Sequence, residues 1–219
     1  MKNYYFIAGE ASGDLHAAKV IAELSKMHSA KANFKGFGGD KMQDAGMNLS
    51  KHYKDLAFMG FWEVIKNLSA IKNNLARAEK EILDFKTDVL VLIDYPGFNM
   101  RMAKFAKKHN IKVVYYITPQ IWAWKKSRVK DLKKNTDLLI PILPFEKDFF
   151  KNNGVDSIFL GHPLLDELKK DSKKAVESEK PLIALLPGSR KQEISHILPL
   201  MIEVTSQFED YEFIIAGAP

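Results

Sequence analysis

Short runs of apolar, β-branched and aromatic residues alternate along the chain with longer amphipathic stretches. The runs that predict strands are Tyr4–Ala8, Val89–Ile93, Lys112–Ile117, Leu138–Ile142, Ser157–Leu160, Leu182–Leu186 and Glu212–Ala216. This alternation is typical of repeated βα units, which build parallel sheets. Several runs are apolar throughout, as expected of strands that helices cover on both faces. The pattern therefore predicts an α/β fold with a doubly wound sheet.

A polar segment interrupts the alternation from Asp166 to Lys180 and carries no strand signal. We therefore predict a first domain over 1–165, a linker over 166–180 and a second domain that begins at 181. Residues 181–219 predict one strand, a turn, a helix to about Phe208 and another strand. Because a single βαβ unit cannot cover its own sheet, we expect the second domain to be incomplete and the chain to be a fragment.

The composition narrows the possible chemistry. Of the 219 residues 46% are hydrophobic, which suits a packed core, and none is cysteine. Disulfides, thiolate nucleophiles and cysteine metal sites are therefore excluded. The apolar run at the N-terminus is only about one strand long, so it is neither a signal peptide nor a membrane span. The net charge of +6 favours anionic partners, among them nucleic acid, anionic lipid head groups or a phosphorylated small molecule.

The first βα junction is a candidate anion site. Gly9 and Gly13 bracket a tight turn into a helix, and Glu10, Ser12 and Asp14 lie in or beside it. Ligands of doubly wound sheets bind at such junctions, where helix amides favour an anion. The alternative is that Ser12 or Asp14 only caps the helix. The glycine spacing is neither that of a dinucleotide site nor that of a phosphate-binding loop, which disfavours a nicotinamide-dependent dehydrogenase.

Asp94 lies at the carboxyl end of the most apolar predicted strand, in the sequence VLIDYPGFN. A carboxylate at this place faces the crevice at the strand ends, and partial burial would raise its proton affinity toward that of a general base. The alternative is an Asx-type turn that stabilises the following Tyr-Pro-Gly. The position at a strand end favours a function.

Polar and aromatic residues also follow two later strands. Gln120, Trp122 and Trp124 lie after Lys112–Ile117, and such side chains suit stacking on sugars or bases, although packing is the favoured interpretation of the tryptophans. His162 follows Ser157–Leu160 within Gly-His-Pro, either as an active-site donor or as a turn residue.

The loop Leu185–Arg190 is the strongest phosphate candidate. A strand leads to Gly188 and Ser189 at the start of a helix, and Arg190 projects beside this turn. Arginine offers a bidentate fork to phosphate oxygens, and the turn amides supply further donors. The alternative is a solvent-facing arginine.

The segment Met59–Leu75 carries an apolar stripe at helical spacing, which core packing explains. Packing does not explain Met59 and Trp62 beside the stripe, nor the lysines Lys66 and Lys72 at its margin. A broad apolar face with basic edges predicts contact with a membrane or with acyl chains.

The strings GEASGD, FMGFWEV, LIDYPGFN, TPQIWAW, LPFEKDFF, FLGHP and LPGSR, taken in this order, resemble the signature stretches of bacterial lipid A disaccharide synthases. The resemblance spans nearly the whole chain. It implies the GT-B fold, in which two Rossmann-like domains face each other across a cleft. The first domain would accept the lipid, and residues 181–219 would begin the domain that binds the UDP-sugar.

The implied reaction transfers 2,3-diacylglucosamine from UDP-2,3-diacylglucosamine to the 6-hydroxyl of 2,3-diacylglucosamine 1-phosphate (lipid X), with inversion at the anomeric carbon. The enzyme would be a cytoplasmic hexosyltransferase, peripherally bound to the anionic inner-membrane surface, with no nucleic acid partner. No cofactor or metal is expected, and the absence of an Asp-x-Asp sequence agrees with metal-independent chemistry. The 219-residue chain alone is expected to be inactive.

The resemblance also assigns roles to residues. Asp94 matches the family's proposed general base, Ser12 and Glu10 match its N-terminal catalytic loop, and Arg190 matches an essential arginine. The residues expected to bind substrate or phosphate are Gly13, Asp14, Gly188, Ser189, Arg190, Gln120, Trp122 and His162. The residues expected to contact membrane or acyl chains are Met59, Trp62, Val64, Ile65, Leu68 and Ile71. A different class of function, a non-catalytic module that binds a lipid or a nucleotide, remains the competing hypothesis.

Overall fold

A computed structural model of the protein describes residues 1–27, 31–56, 68–170, 178–188 and 191–217. The chain divides into two compact units, Met1–Leu168 and Lys169–Pro219.

The first unit alternates strands with helices. Its strands are β1 (Lys2–Ala8), β2 (Ala32–Gly38), β3 (Asn48–His52), β4 (Val89–Ile93), β5 (Lys112–Tyr116) and β6 (Leu138–Ile140). Its described α-helices are α1 (Ala11–Met27), α2 (Asp40–Asp44), α3 (Leu68–Asp84), α4 (Pro96–Lys108), α5 (Ile121–Trp124), α6 (Val129–Asn135), α7 (Pro144–Asn152) and α8 (Leu164–Lys170), whose last two residues fall in the second unit. The second unit holds β7 (Leu182–Leu185), α9 (Lys191–Thr205) and β8 (Glu212–Ile215).

Among the described residues of the first unit, six strands form one parallel sheet in the order β3-β2-β1-β4-β5-β6. This is the strand order of the doubly wound Rossmann fold, and it confirms the predicted fold class. The direction of winding reverses between β1 and β4, where Ala8 pairs with Ile93. The loops that leave these two strands therefore open a crevice at the carboxyl edge of the sheet.

The core lies on both faces of this sheet. Along β1, Tyr5 and Ile7 belong to a cluster that also includes residues of α3, α4 and α7, whereas Phe6 and Ala8 pack in a second cluster with residues of α1 and α2. All four side chains are fully buried. Because helices cover both faces, β1 and β4 are apolar at successive positions instead of alternate ones.

Two strands were not predicted, and one predicted strand is wrong. A prediction based on hydrophobic runs misses both strands, because β2 contains glycines and β3 is mostly polar. Gly36 has a physical reason in β2, because a Cβ there would lie 1.9 Å from the carbonyl oxygen of Phe6 in β1. Residues 157–160 form no strand. A backbone bond of 2.9 Å joins Ile158 to Leu139, but Ile158 and Leu160 stay exposed, so no layer covers this segment.

The predicted linker over 166–180 begins inside α8, which continues across the polar stretch to Lys170. Residues 171–177 lie outside the described residues.

A partly buried polar cluster ties three strands to α3. The carboxylate of Glu81 accepts hydrogen bonds from the Tyr5 hydroxyl at 3.0 Å, from Arg77 Nε at 2.8 Å and from the Ser50 hydroxyl, and it lies 3.5 Å from Lys35 Nζ. Burial raises the pKa of Glu81, but these donors outweigh it and hold the pKa below its usual value. The cluster therefore fixes α3 against the β1, β2 and β3 side of the sheet with an ionised carboxylate.

Candidate active site

Asp94 and the first βα loop meet at the carboxyl edge of the sheet. Because Ala8 and Ile93 are register partners in adjacent strands, the residues that follow them leave the sheet side by side. Asp94 is half-buried, and Glu10 across the gap is half-buried as well. Two acidic side chains thus share the crevice where the strand order reverses, which is the usual ligand-binding place of this fold.

The pKa of Asp94 is raised above its usual value. The largest cause is burial, and the negative charge of Glu10 adds to it, while the backbone N–H of Tyr95 opposes both. A carboxylate with raised proton affinity that still reaches a crevice is suited to accept a proton from a substrate hydroxyl. The structure thus gives Asp94 the surroundings that the sequence predicted from its position.

Asp94 and Tyr95 both adopt left-handed backbone conformations, with φ of 44° and 47°. Such values are uncommon for residues other than glycine, and strain of this kind clusters at functional sites. Tyr95 occupies the position before α4, and its own side chain makes no capping hydrogen bond to that helix. The backbone N–H of Tyr95 acts on the Asp94 carboxyl, so the Asx-turn alternative stays open beside the functional one.

The ring of Tyr95 lies directly over Gly9. A Cβ at Gly9 would come within 2.4 Å of this ring, so only glycine allows the contact. The Tyr95 ring also stacks on Phe98 with centroids 5.5 Å apart, and its hydroxyl donates to the carbonyl of Leu56 at 3.2 Å. Tyr95 thereby connects the first loop at Gly9 with Leu56, which follows β3.

The first loop ends at Glu10, whose carbonyl accepts the backbone N–H of Asp14 at 3.0 Å as α1 begins. Ser12 lies in the first turn of α1 and is exposed at the same edge of the sheet. The capping alternative for Ser12 and Asp14 is wrong for this helix, because both residues lie inside it. Glu10 and Ser12 remain predicted catalytic-loop residues.

Asp14 instead caps the start of α2. It is 3% exposed, and its carboxylate accepts the backbone N–H groups of Gly39 at 2.8 Å, Met42 at 3.0 Å and Lys41 at 3.2 Å. These are the otherwise unpaired donors at the start of α2. Gly13 is also buried, with Ala8 and Ile93 against the place of its missing Cβ. Both were predicted to bind substrate or phosphate, but the structure uses them in the scaffold that holds the crevice.

The contacts of the residues that follow β5 indicate packing more than ligand binding. Gln120 is exposed, whereas Trp122 is half-buried and packs edge-on against Phe145 with centroids 5.0 Å apart. The Trp122 indole lies beside the carboxylate of Glu146. Packing was the favoured interpretation of the tryptophans, and this geometry agrees with it for Trp122.

Glu146 was missed by the sequence reasoning. It is 1% exposed, and its Oε2 accepts the backbone N–H groups of Leu143 at 3.0 Å and Ile142 at 3.2 Å. Burial raises its pKa above the usual value, although these amides and Trp122 act in the opposite direction. The available signal was a glutamate two residues after Pro144, which is the typical composition of a helix start.

His162 lies two residues before the start of α8. Its Nδ1 accepts the backbone N–H of Leu164 at 3.2 Å, so the neutral ring carries its proton on Nε2. The residue therefore fills the predicted turn position, and its Nε2–H retains the donor capacity that the other interpretation requires.

In the second unit, Gly188 precedes α9 with φ of 105°, a left-handed value that favours glycine. Ser189 and Arg190 lie outside the described residues, as do Met59, Trp62, Val64 and Ile65. Leu68 begins α3, but its side chain is outside the description, and Ile71 is half-buried on the same helix. In the described ranges, no three His, Asp or Glu side chains are grouped so that they could hold a metal.

Comparison of the sequence with known proteins identifies the family of the chain. Residues 4–217 match the family model described as Lipid-A-disaccharide synthetase. The chain belongs to the lipid-A-disaccharide synthetase family. It is similar to the Lipid-A-disaccharide synthases of Trichlorobacter lovleyi (39% identity over 209 residues; 92% of this chain, 54% of the relative) and Syntrophus aciditrophicus (40% over 204 residues; 90% and 53%). The chain thus spans about half the length of these synthetase relatives.

The chain also shares its fold with solved structures of low sequence identity. A putative UDP-N-acetylglucosamine 2-epimerase from Listeria monocytogenes aligns with a TM-score of 0.67 at 12% identity, covering 100% of this chain and 64% of the other. The UDP-GlcNAc 2-epimerase from Neisseria meningitidis, bound to UDP-GlcNAc, gives 0.64 at 12%, covering 100% and 66%. The glycotransferase of kitacinnamycin gives 0.60 at 11%, covering 97% and 65%. These likenesses support the Rossmann-like architecture of this family member.

Proposed function

We propose that the protein is an inverting glycosyltransferase of lipid A biosynthesis. It transfers 2,3-diacylglucosamine from UDP-2,3-diacylglucosamine to the 6-hydroxyl of lipid X and releases UDP. The observation that carries this proposal is Asp94, half-buried with a raised pKa in the crevice between β1 and β4, within a chain of the lipid-A-disaccharide synthetase family. The first unit supplies the acceptor side, and the second unit begins the donor side.

The proposed chemistry is a single displacement. The acceptor's 6-oxygen attacks the anomeric carbon of the donor, the bond from that carbon to the diphosphate oxygen breaks, and the hydroxyl proton passes to the Asp94 carboxylate. An alcohol is a poor nucleophile at neutral pH, so a base on the acceptor side is required. Attack opposite to the leaving group inverts the anomeric configuration and gives a β-1,6-linked disaccharide 1-phosphate.

On the donor side, Arg190 lies two positions after Gly188 in the sequence and directly before the first residue of α9. A guanidinium at this place stabilises the negative charge that develops on the departing UDP, and helix amides add to the same field. No cofactor is required for this step. Glu10 and Ser12 complete the acceptor side, where a second carboxylate raises the proton affinity of Asp94 and a hydroxyl offers a hydrogen bond to the sugar.

The function is tested by product analysis. A protein of the relatives' full length that carries this sequence, called the full-length protein below, is incubated with UDP-2,3-diacylglucosamine and lipid X. We expect equimolar UDP and a β-linked disaccharide 1-phosphate, identified by mass and by the anomeric NMR signal. Epimerised sugar-nucleotide without disaccharide, or ligand binding without turnover, would contradict the proposal and favour a different enzyme or a binding module.

We further propose that the protein works peripherally at the cytoplasmic face of the inner membrane, where acylated substrates reside, with the anionic leaflet as its partner rather than nucleic acid. No helix within the described ranges is long and apolar enough to span a bilayer. The proposed contact residues are Met59, Trp62, Val64, Ile65, Leu68 and Ile71. Ile71 is half-buried on α3, and the neighbouring Lys72 is exposed.

Replacing Trp62 and Leu68 together with serine should weaken binding to anionic phospholipid vesicles by at least about tenfold, because each side chain loses apolar burial in the bilayer. Vesicle co-sedimentation measures this, with circular dichroism to verify the fold. Leu83→Ser is the control, since Leu83 is 44% exposed at the far end of α3. If the double variant unfolds, or binds vesicles as well as the parent, the apolar face is core and the membrane contact is refuted.

A further inference from the structure

Both backbone groups of Asp94, its N–H and its carbonyl oxygen, make hydrogen bonds. Its N–H donates to the carbonyl of Tyr116 at 3.3 Å. Its own carbonyl oxygen accepts two hydrogen bonds, one from the Tyr115 hydroxyl at 2.8 Å and one from Asn99 Nδ2 at 2.8 Å. These bonds fix the residue that the proposed function makes the general base, and they do so without touching its carboxylate.

The two donors come from different elements. Tyr115 lies on β5 and is fully buried, so its ring is locked by packing and its hydroxyl has one defined position. Burial, and secondarily the charge of Asp94, hold the pKa of Tyr115 well above its usual value, which keeps the hydroxyl protonated as a donor. Asn99 lies in the first turns of α4 and is fully buried as well.

The Asn99 side chain also contacts the carboxyl ends of both central strands, β1 and β4. Its Nδ2 lies 3.1 Å from the carbonyl oxygen of Ile93 and 3.4 Å from that of Ile7, in addition to the carbonyl of Asp94. Three carbonyl oxygens around one atom fix the orientation of the amide, because the side-chain oxygen in that place would face acceptors only. The carboxyl ends of β1 and β4 are thereby joined at the point where the crevice opens.

These hydrogen bonds stabilise a backbone conformation of Asp94 that is unfavourable by itself. Asp94 and Tyr95 are consecutive non-glycine residues in the left-handed region. An isolated chain would leave that region, and the Asp94 side chain would then leave the crevice. Bonds to the Asp94 carbonyl that exist only in the observed geometry keep the carboxylate aimed at the site.

We propose that Tyr115 and Asn99 are positioning residues that act through Asp94, by holding its left-handed backbone so that the carboxylate meets the acceptor hydroxyl. This inference rests on the proposed function. A catalytic group displaced by about 1 Å can lose roughly a hundredfold in rate, so the support affects turnover more than substrate affinity.

Tyr115→Phe in the full-length protein removes one oxygen and keeps the buried ring. We expect kcat to fall by about tenfold, with the KM for lipid X nearly unchanged. The matched control is Tyr5→Phe, another fully buried strand tyrosine, whose hydroxyl binds Glu81 instead. It should lose comparable thermal stability and keep its kcat, which separates positioning from a general packing effect.

The deciding experiment is a double-mutant cycle with Asp94→Asn. If Tyr115 acts through the Asp94 carboxylate, Tyr115→Phe should change kcat by less than about twofold in the Asn background. An equal loss in both backgrounds, or a normal kcat for Tyr115→Phe while Asp94→Asn is severely impaired, overturns the positioning role and leaves the proposed function intact. A normal kcat for Asp94→Asn overturns the assignment of Asp94 as the general base, and the positioning role with it, whereas absence of disaccharide formation by the parent protein overturns the proposed function itself.

Asn99→Ser provides a second variant if Tyr115→Phe does not fold. It removes the amide donor while Tyr115 remains, and it should also lower kcat with little change in the KM for lipid X. The same loss in the Asp94→Asn background would overturn the inference.

Discussion

Asp94→Asn is expected to lower the kcat of the full-length protein by about 10²–10⁴-fold, with folding and lipid X affinity little altered. Asparagine keeps the shape and hydrogen-bonding reach of the side chain but cannot take a proton at the attacking oxygen. Steady-state transfer from UDP-2,3-diacylglucosamine measures kcat, and lipid X affinity is determined separately, so that binding and chemistry are not confused.

The chain offers a matched control at the other end of the same strand. Asp88 precedes β4 and accepts the backbone N–H of Asn3 at 2.8 Å, at the edge of the sheet opposite to Asp94. Asp88→Asn makes the same chemical change away from the crevice and should leave kcat near normal. Near-normal turnover of Asp94→Asn would show that another group is the base, and Glu10 is then the first residue to replace.

The second large effect is expected for Arg190→Ala, which should raise the donor KM or lower kcat by an amount equivalent to roughly 2–4 kcal/mol, or about thirty- to a thousandfold. The reason is the loss of a charged, bidentate contact to the departing diphosphate. Initial rates at varied UDP-2,3-diacylglucosamine and saturating lipid X measure the effect.

Arg190→Lys is the companion variant, because it keeps the charge without the planar fork. It should recover part of the lost rate and remain below the rate of the parent protein. Unchanged donor kinetics in Arg190→Ala would remove the residue from the site. Lysine that restores full activity would show that charge alone, and not bidentate recognition, is what the position supplies.

The sequence predicted those parts of the fold that depend on continuous burial. Both β1 and β4 are covered on two faces, so their apolar runs are unambiguous, and the place of Asp94 at a strand end followed directly from that pattern. The neighbouring β2 was hidden because its glycines allow close approach to β1, an advantage that appears only when the two strands are paired. Long-range pairing is therefore the information that hydrophobic periodicity lacks.

In the candidate site, too, the sequence did not reveal which distant residues would be in contact. The string GEASGD suggested four ligand-binding or catalytic residues, yet the Asp14 carboxylate accepts backbone N–H groups at the start of α2, including that of Gly39, 25 residues later. Conversely, nothing in the sequence distinguishes Tyr115 from any other strand tyrosine or Asn99 from any other helix asparagine. Their roles depend on which carbonyl oxygens the fold brings within 3 Å, and neither composition nor spacing encodes those distances.

The measurement that tests the central claim most directly is the pH dependence of kcat/KM in the parent protein and in Asp94→Asn. The base must be ionised to act, so activity should rise with pH through the pKa of Asp94, which burial and Glu10 place above the usual aspartate value. We predict an acidic limb in the parent profile that disappears in the residual activity of the Asn variant. The same limb at the same midpoint in both proteins would contradict the assignment of Asp94 as the base.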